Sequence, residues 1–121
     1  MAIRSLVVLT LEPRGWGLST RKMVLEQANH NVIKTIDAEE TIKFAGMFPF
    51  DALLMDTHFE DMDPVKMVAE VREKNATMRI IAVSKSGECP APLREVVDLY
   101  LPEWEPATCV RAIEVFLDVA S

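Results

Sequence analysis

The sequence predicts a doubly wound α/β domain built on a five-stranded parallel sheet. Three observations predict it. Short apolar strand-like runs alternate with helical segments from one end of the chain to the other. The first and third runs are continuously apolar, as strands covered on both faces are, instead of alternating apolar and polar. Several of the segments between them open on cap residues and carry apolar positions at helical spacing.

Ser5 to Thr10 (Ser-Leu-Val-Val-Leu-Thr) reads as a buried strand. Glu12 to Gly17 is a loop broken by Pro13, Gly15 and Gly17. A helix follows from about Leu18 to Ala28, with Ser19 or Thr20 as its cap. The turn Asn29-His30-Asn31 reads as solvated, His30 included, and Val32 to Ile36 is the second strand. Asp37 and Glu40 form a capping box ahead of a helix that buries Ala38, Ile42 and Ala45. The third strand is Phe50 to Asp56. Asp63 and Pro64 then supply an N-cap and a first-turn proline for a helix to about Lys74 that buries Met67, Val68 and Val71. Arg79 to Val83 is the fourth strand. Pro90 and Pro92 leave room only for a short helix around Leu93 to Val97, their rings keeping its start from being helical. Asp98 to Leu101 is the fifth strand, and Pro106 opens a last helix with Val110, Ile113, Phe116 and Leu117 facing inward.

Such alternation implies right-handed crossovers and helices on both sheet faces. Five units in this length match the flavodoxin-like layout, strand order 2-1-3-4-5, with ligand chemistry at the switch point beyond strands one and three. The length fits one domain spanning 1–121.

Composition narrows the function classes. Asp and Glu number 19 against 13 Lys and Arg, a formal charge of -6, which speaks against a nucleic-acid-binding face. No apolar stretch reaches the roughly 18 residues of a membrane span, and Met1-Ala2-Ile3-Arg4 does not open a signal peptide. Cys89 and Cys109 have neither zinc-ligand nor CxxC spacing and read as free thiols of a cytoplasmic protein. No nucleophile elbow or phosphate-binding glycine loop occurs, so an enzyme is not expected.

The most informative residue is Asp56, a carboxylate closing an apolar strand where open α/β sheets bind ligands. The stretch from Phe50 through Thr57-His58-Phe59-Glu60-Asp61-Met62-Asp63-Pro64 resembles the third strand and following loop of CheY-like receiver domains, the phospho-accepting modules of two-component signalling. Asp56, Met62 and Asp63 fall in register with that family's pattern, whereas Phe59, Glu60 and Pro64 depart from it. The resemblance covers nearly the whole chain in element order. It implies Asp56 as phosphoacceptor, with Ser84 (ending the fourth strand) and Tyr100 (on the fifth) as switch residues. It also implies a Mg²⁺ held by Asp56, by the His58 backbone carbonyl and by an acid pair after the first strand.

Departures from that pattern are concentrated in the chemistry. The acid pair has become Thr10-Leu11 or Leu11-Glu12, the register being open because the segment from Pro13 to Val32 is longer than usual; Glu12 is the one acid left. Glu103 stands where the family carries a Lys, reversing the charge beside an incoming phosphoryl group; Lys85 is a substitute only if it swings in. Phosphoryl transfer is catalysed mainly by positioning and electrostatics, so these losses bear directly on it. The resemblance therefore implies an atypical receiver: a protein-interaction module using little or no phosphorylation, with at most a weak Mg²⁺ site. The alternative is a working phospho-accepting receiver using Asp56 with Mg²⁺. Implied partners are a histidine kinase, another receiver or a separate effector, with a homodimer through helix four, strand five and helix five as a further expectation.

A remote alternative is a cobalamin-binding domain, suggested by Asp56-Thr57-His58 but opposed by Asp61 at the motif's glycine position. Glu60, Asp61 and Asp63 read as a solvated loop running into the N-cap, not as a metal cluster.

Overall fold

In a computed structural model, the chain is described over residues 5–12, 20–57, 59, 61–84, 88–102 and 105–117. The elements are β1 (Val7–Leu11), α1 (Thr20–Gln27), β2 (Asn31–Thr35), α2 (Ala38–Ala45), β3 (Ala52–Asp56), α3 (Pro64–Lys74), β4 (Arg79–Val83), α4 (Ala91–Val96), β5 (Leu99–Leu101) and α5 (Pro106–Phe116). All strand pairs are parallel, in the order β2-β1-β3-β4-β5. The expected fold class is the observed one.

Side-chain alternation divides the core into two layers, because successive residues of a strand face opposite sides. Leu9 and Leu11, Leu53 and Met55, and Ile80 and Ala82 pack with Ala38 and Ala45 of α2, Met67, Val68 and Val71 of α3, and Leu93 of α4. Val8, Ala52 and Leu54, and Ile81 and Val83 pack instead with Leu25 of α1 and Cys109, Val110 and Ile113 of α5. Both layers are sealed, which is why β3 reads as a continuous apolar run.

Local signals account for most helix starts. Asp37 accepts the Glu40 N–H at 2.8 Å, and Glu40 answers by accepting the Ile36 N–H at 3.2 Å. Asp63 accepts the Val65 N–H, with Pro64 beginning α3. Glu105 accepts the Thr108 N–H at 2.8 Å ahead of Pro106. α4 corrects one expectation, since it starts at Ala91 with Pro92 inside its first turn and Pro90 as N-cap. A proline is accepted there because the N–H it lacks has no intrahelical partner in that turn anyway.

The N-terminal edge of the sheet carries a recurring device. The residue before β2, β3 and β5 in each case offers a side-chain acceptor to a backbone N–H at or beside the start of the adjoining strand. His30 Nδ1 accepts from Leu6 N–H at 3.0 Å, Asp51 from Val7 N–H at 2.8 Å and Asp98 from Ile80 N–H at 2.7 Å. Those N–H groups sit where the strand ladder begins, and a buried unpaired N–H is costly. His30 is consequently buried, not solvated: its Nε2 lies 2.8 Å from Glu114 of α5. Because Nδ1 is an acceptor, the proton sits on Nε2 and is donated to the Glu114 carboxylate.

Candidate functional site at the end of β3

Strand register assembles the site. Asp56 is paired with Val83, so Ser84 lies just beyond β4 beside it. β1 pairs with β3 through Thr10 and Leu54, which brings Glu12, two residues further on, toward the level of Asp56. All three are buried: Asp56 is 1% exposed, Glu12 6% and Ser84 0%. Asp56, Glu12 and Ser84 are thus brought to one edge of the sheet, as the sequence implied. His58, Lys85 and Glu103, and the acid Glu60, lie outside the described residues.

A partner that the sequence reading missed dominates the site. Nη2 of Arg21, in the first turn of α1, is 2.6 Å from Oδ1 of Asp56, with both side chains almost wholly buried. The alternation of β3 explains the geometry. Asp56 shares the face of Ala52 and Leu54, which is the face covered by α1 and α5. Arg21 lies one helical turn before Leu25, on the stripe of α1 that packs on that face. That placement was the available signal: a charged residue on the inward stripe of a helix requires a buried counter-charge. Among the described residues, α1 supplies a cation in contact with Asp56.

Ser84 has a local task. Its hydroxyl accepts the Glu88 N–H at 2.9 Å, and its own N–H donates to the Leu101 carbonyl at 3.0 Å, tying β4 to the segment leading into α4. Tyr100 is turned so that its hydroxyl is buried with no hydrogen-bond partner among the described residues. The Arg94 guanidinium lies over its ring, 4.7 Å from the centroid. Nearby, burial raises the Cys89 thiol above its ordinary range, and the positive charge of Arg94 offsets part of that rise. The acids of the β3–α3 loop are structural: Asp61 accepts the Ala38 N–H at the start of α2 at 2.8 Å, and Asp63 caps α3.

The donor set does not fit Mg²⁺ well. That ion favours near-octahedral oxygen ligands with carboxylates free to face it. Here a guanidinium is already on Asp56 Oδ1. Like unit charges about 4 Å apart repel by roughly 4 kcal/mol at an effective dielectric near 20, and a divalent ion doubles that. Among the described residues no group of three or more His, Cys, Asp or Glu is placed to hold a metal ion.

The chain matches a CheY-like response regulator receiver domain from Methanospirillum hungatei JF-1 with a TM-score of 0.82 at 20% identity, covering 95% of each chain. It matches the receiver domain of a sensor histidine kinase from Pseudomonas aeruginosa PAO1, described with a magnesium ion coordinated in its active-site cleft, with a TM-score of 0.81 at 16% identity over 95% of this chain and 99% of that one. A third match is the N-terminal domain of a response regulator/sensory box/GGDEF three-domain protein from Carboxydothermus hydrogenoformans, with a TM-score of 0.78 at 19% identity over 93% and 94%. No protein-family model and no curated protein matches the chain. The fold is that of CheY-like receiver domains. Among the described residues no helix is long and apolar enough to cross a membrane.

Proposed function

We propose that the chain is a two-component signalling receiver of atypical kind, a protein-interaction module that works in the cytoplasm with little or no phosphorylation and no enzymatic turnover of its own. The observation that carries this reading is the Arg21–Asp56 ion pair. The candidate acceptor is 1% exposed, and one of its oxygens is already engaged by a guanidinium at 2.6 Å. A phosphodonor would have to enter a buried strand end and compete with Arg21 for the Asp56 carboxylate. The pair also supplies, from within the chain, the positive charge a metal ion would otherwise bring to Asp56.

Protein partners are the natural output of such a module. The similar structures include a receiver domain of a sensor kinase and one belonging to a multidomain regulator, which supports a kinase, another receiver or a separate effector as partner. The face formed by α4, β5 and α5 is the proposed contact surface, for a second copy or for another protein.

A working phospho-switch is the second reading, favoured by the placement of Ser84 beside Asp56 at neighbouring strand ends. Intact-mass analysis after incubation with acetyl phosphate and Mg²⁺, run beside Asp56→Asn, separates the two. No adduct is expected on the parent protein. A phosphoryl adduct on the parent that disappears in Asp56→Asn would overturn the phosphate-independent reading.

A further inference from the structure

A cleft of about 290 Å³ opens between the β3–α3 connection and the start of α4, lined by Thr57, Phe59, Pro64, Val65, Pro92 and Leu93, with Asp63 and Pro90 at its sides. It has a physical origin in the sequence. α4 has only six residues, and the chain before Ala91 is extended at Pro90, so among the described residues no helical turn precedes Leu93 by more than that short start. Leu93 forms a buried wall, and Phe59 and Val65 are half-buried, each packed against the core layer beneath α3 and α4.

The chemistry of the lining selects an occupant. Three of the described lining residues are prolines, whose fixed φ makes those walls rigid before anything binds. Asp63 is the single charged residue among them, and exposed Asp61 precedes it in the same loop. The whole chain carries a formal charge of -6. An apolar floor with an acidic flank on an acidic domain is complementary to an apolar anchor beside a cation. Its size lies at the lower end of ligand pockets, suited to one or two side chains and not to a cofactor.

We infer that this cleft is a docking site for a partner protein, receiving a Leu-type side chain flanked by Arg or Lys. This rests on the reading of the domain as a protein-interaction module, and adds a surface on the α3 side of α4. The position matters for signalling because Thr57 directly follows Asp56. An occupant would press on the same strand end that Arg21 holds from the opposite face of the sheet.

The test is a titration of the ¹⁵N-labelled full chain, followed by amide NMR, with two capped tetrapeptides, Arg-Leu-Leu-Arg and Glu-Leu-Leu-Glu. The basic peptide should move the amides of Thr57, Val65 and Leu93 saturably, and bind about tenfold more tightly than the acidic one, a difference near 1.4 kcal/mol. Asp63→Asn keeps a competent N-cap while removing the charge, and should shrink that preference. Val65→Arg, or Pro92→Lys should the first variant disturb α3, should abolish the response while leaving a dispersed spectrum. Equal responses to both peptides, shifts clustered elsewhere, no shifts at all, or binding unaffected by the cleft variants would each overturn the inference. These failures are distinguishable from failure of the wider reading: a phosphoryl adduct on Asp56 would remove the phosphate-independent function without touching the cleft.

Discussion

Arg21 and Asp56 stand 35 positions apart in the chain and meet at 2.6 Å, almost wholly screened from water. The ion pair joins the first turn of α1 to the last residue of β3.

Removing either member alone leaves a buried charge without that counter-ion. Arg21→Ala is expected to cost about 3–5 kcal/mol, and the paired change Arg21→Met with Asp56→Leu far less. Guanidinium denaturation of the three proteins measures this. A single-mutant loss below about 0.5 kcal/mol, the range of ordinary surface changes, would show that the pair contributes no more than exposed charges do.

Tyr100 gives the opposite sign. Its hydroxyl is buried with no partner among the described residues, so Tyr100→Phe relieves a desolvation cost and should stabilise the fold by about 1 kcal/mol. Arg94→Ala should lose about 0.5–1 kcal/mol through the stacked ring. Thermal unfolding of both variants, moving in opposite directions, is the expected result.

His30 links β1 to α5 through both ring nitrogens. His30→Ala leaves the Leu6 N–H and the Glu114 carboxylate without it, and should cost about 1–3 kcal/mol. Glu114→Gln retains an acceptor for Nε2–H and should cost less. Nitrogen NMR of the imidazole should show the proton on Nε2.

The cap of α5 should be sensitive to acid. Hydrogen bonds from Thr108, first through its side chain and then through its backbone N–H, hold the Glu105 carboxyl below its usual range. Its folded-state pKa is depressed, so its stabilising contribution is complete above the unfolded value and is lost as pH falls through the folded one. Glu105→Gln should flatten that part of the stability–pH curve in urea titrations at a series of acid pH values.

Legibility of the sequence followed the range of the interactions. β4 matches its expected bounds, and α3 matches at its start and its buried residues, because apolar runs, Asp63 and Pro64 act locally. Asp56 and Ser84 were legible as strand-end residues, and the parallel topology then places them side by side. Arg21 was not, because its meaning depends on the distant β3 and on a loop of uncertain register. The burial of His30 is hidden for a related reason: two flanking asparagines suggest a wet turn, whereas its ring is satisfied by Leu6 and by Glu114, 84 positions away. α4 starts earlier than its prolines suggest, because a first-turn proline sacrifices no intrahelical hydrogen bond.

The position of Arg21 also bears on the order of assembly. Within the described residues of α1, Glu26 pairs with Lys22, and a carboxylate for Arg21 comes from β3. Most helical stability in proteins comes from tertiary packing and not from propensity, and for α1 that packing includes the ion pair. Its opening turn depends on a carboxylate delivered by β3, which is made later in the chain. Helix α1 is thus expected to become secure only once β3 is in place: a peptide covering α1 alone should stay unstructured, and its amides in the intact protein should gain protection only after the central strands have paired.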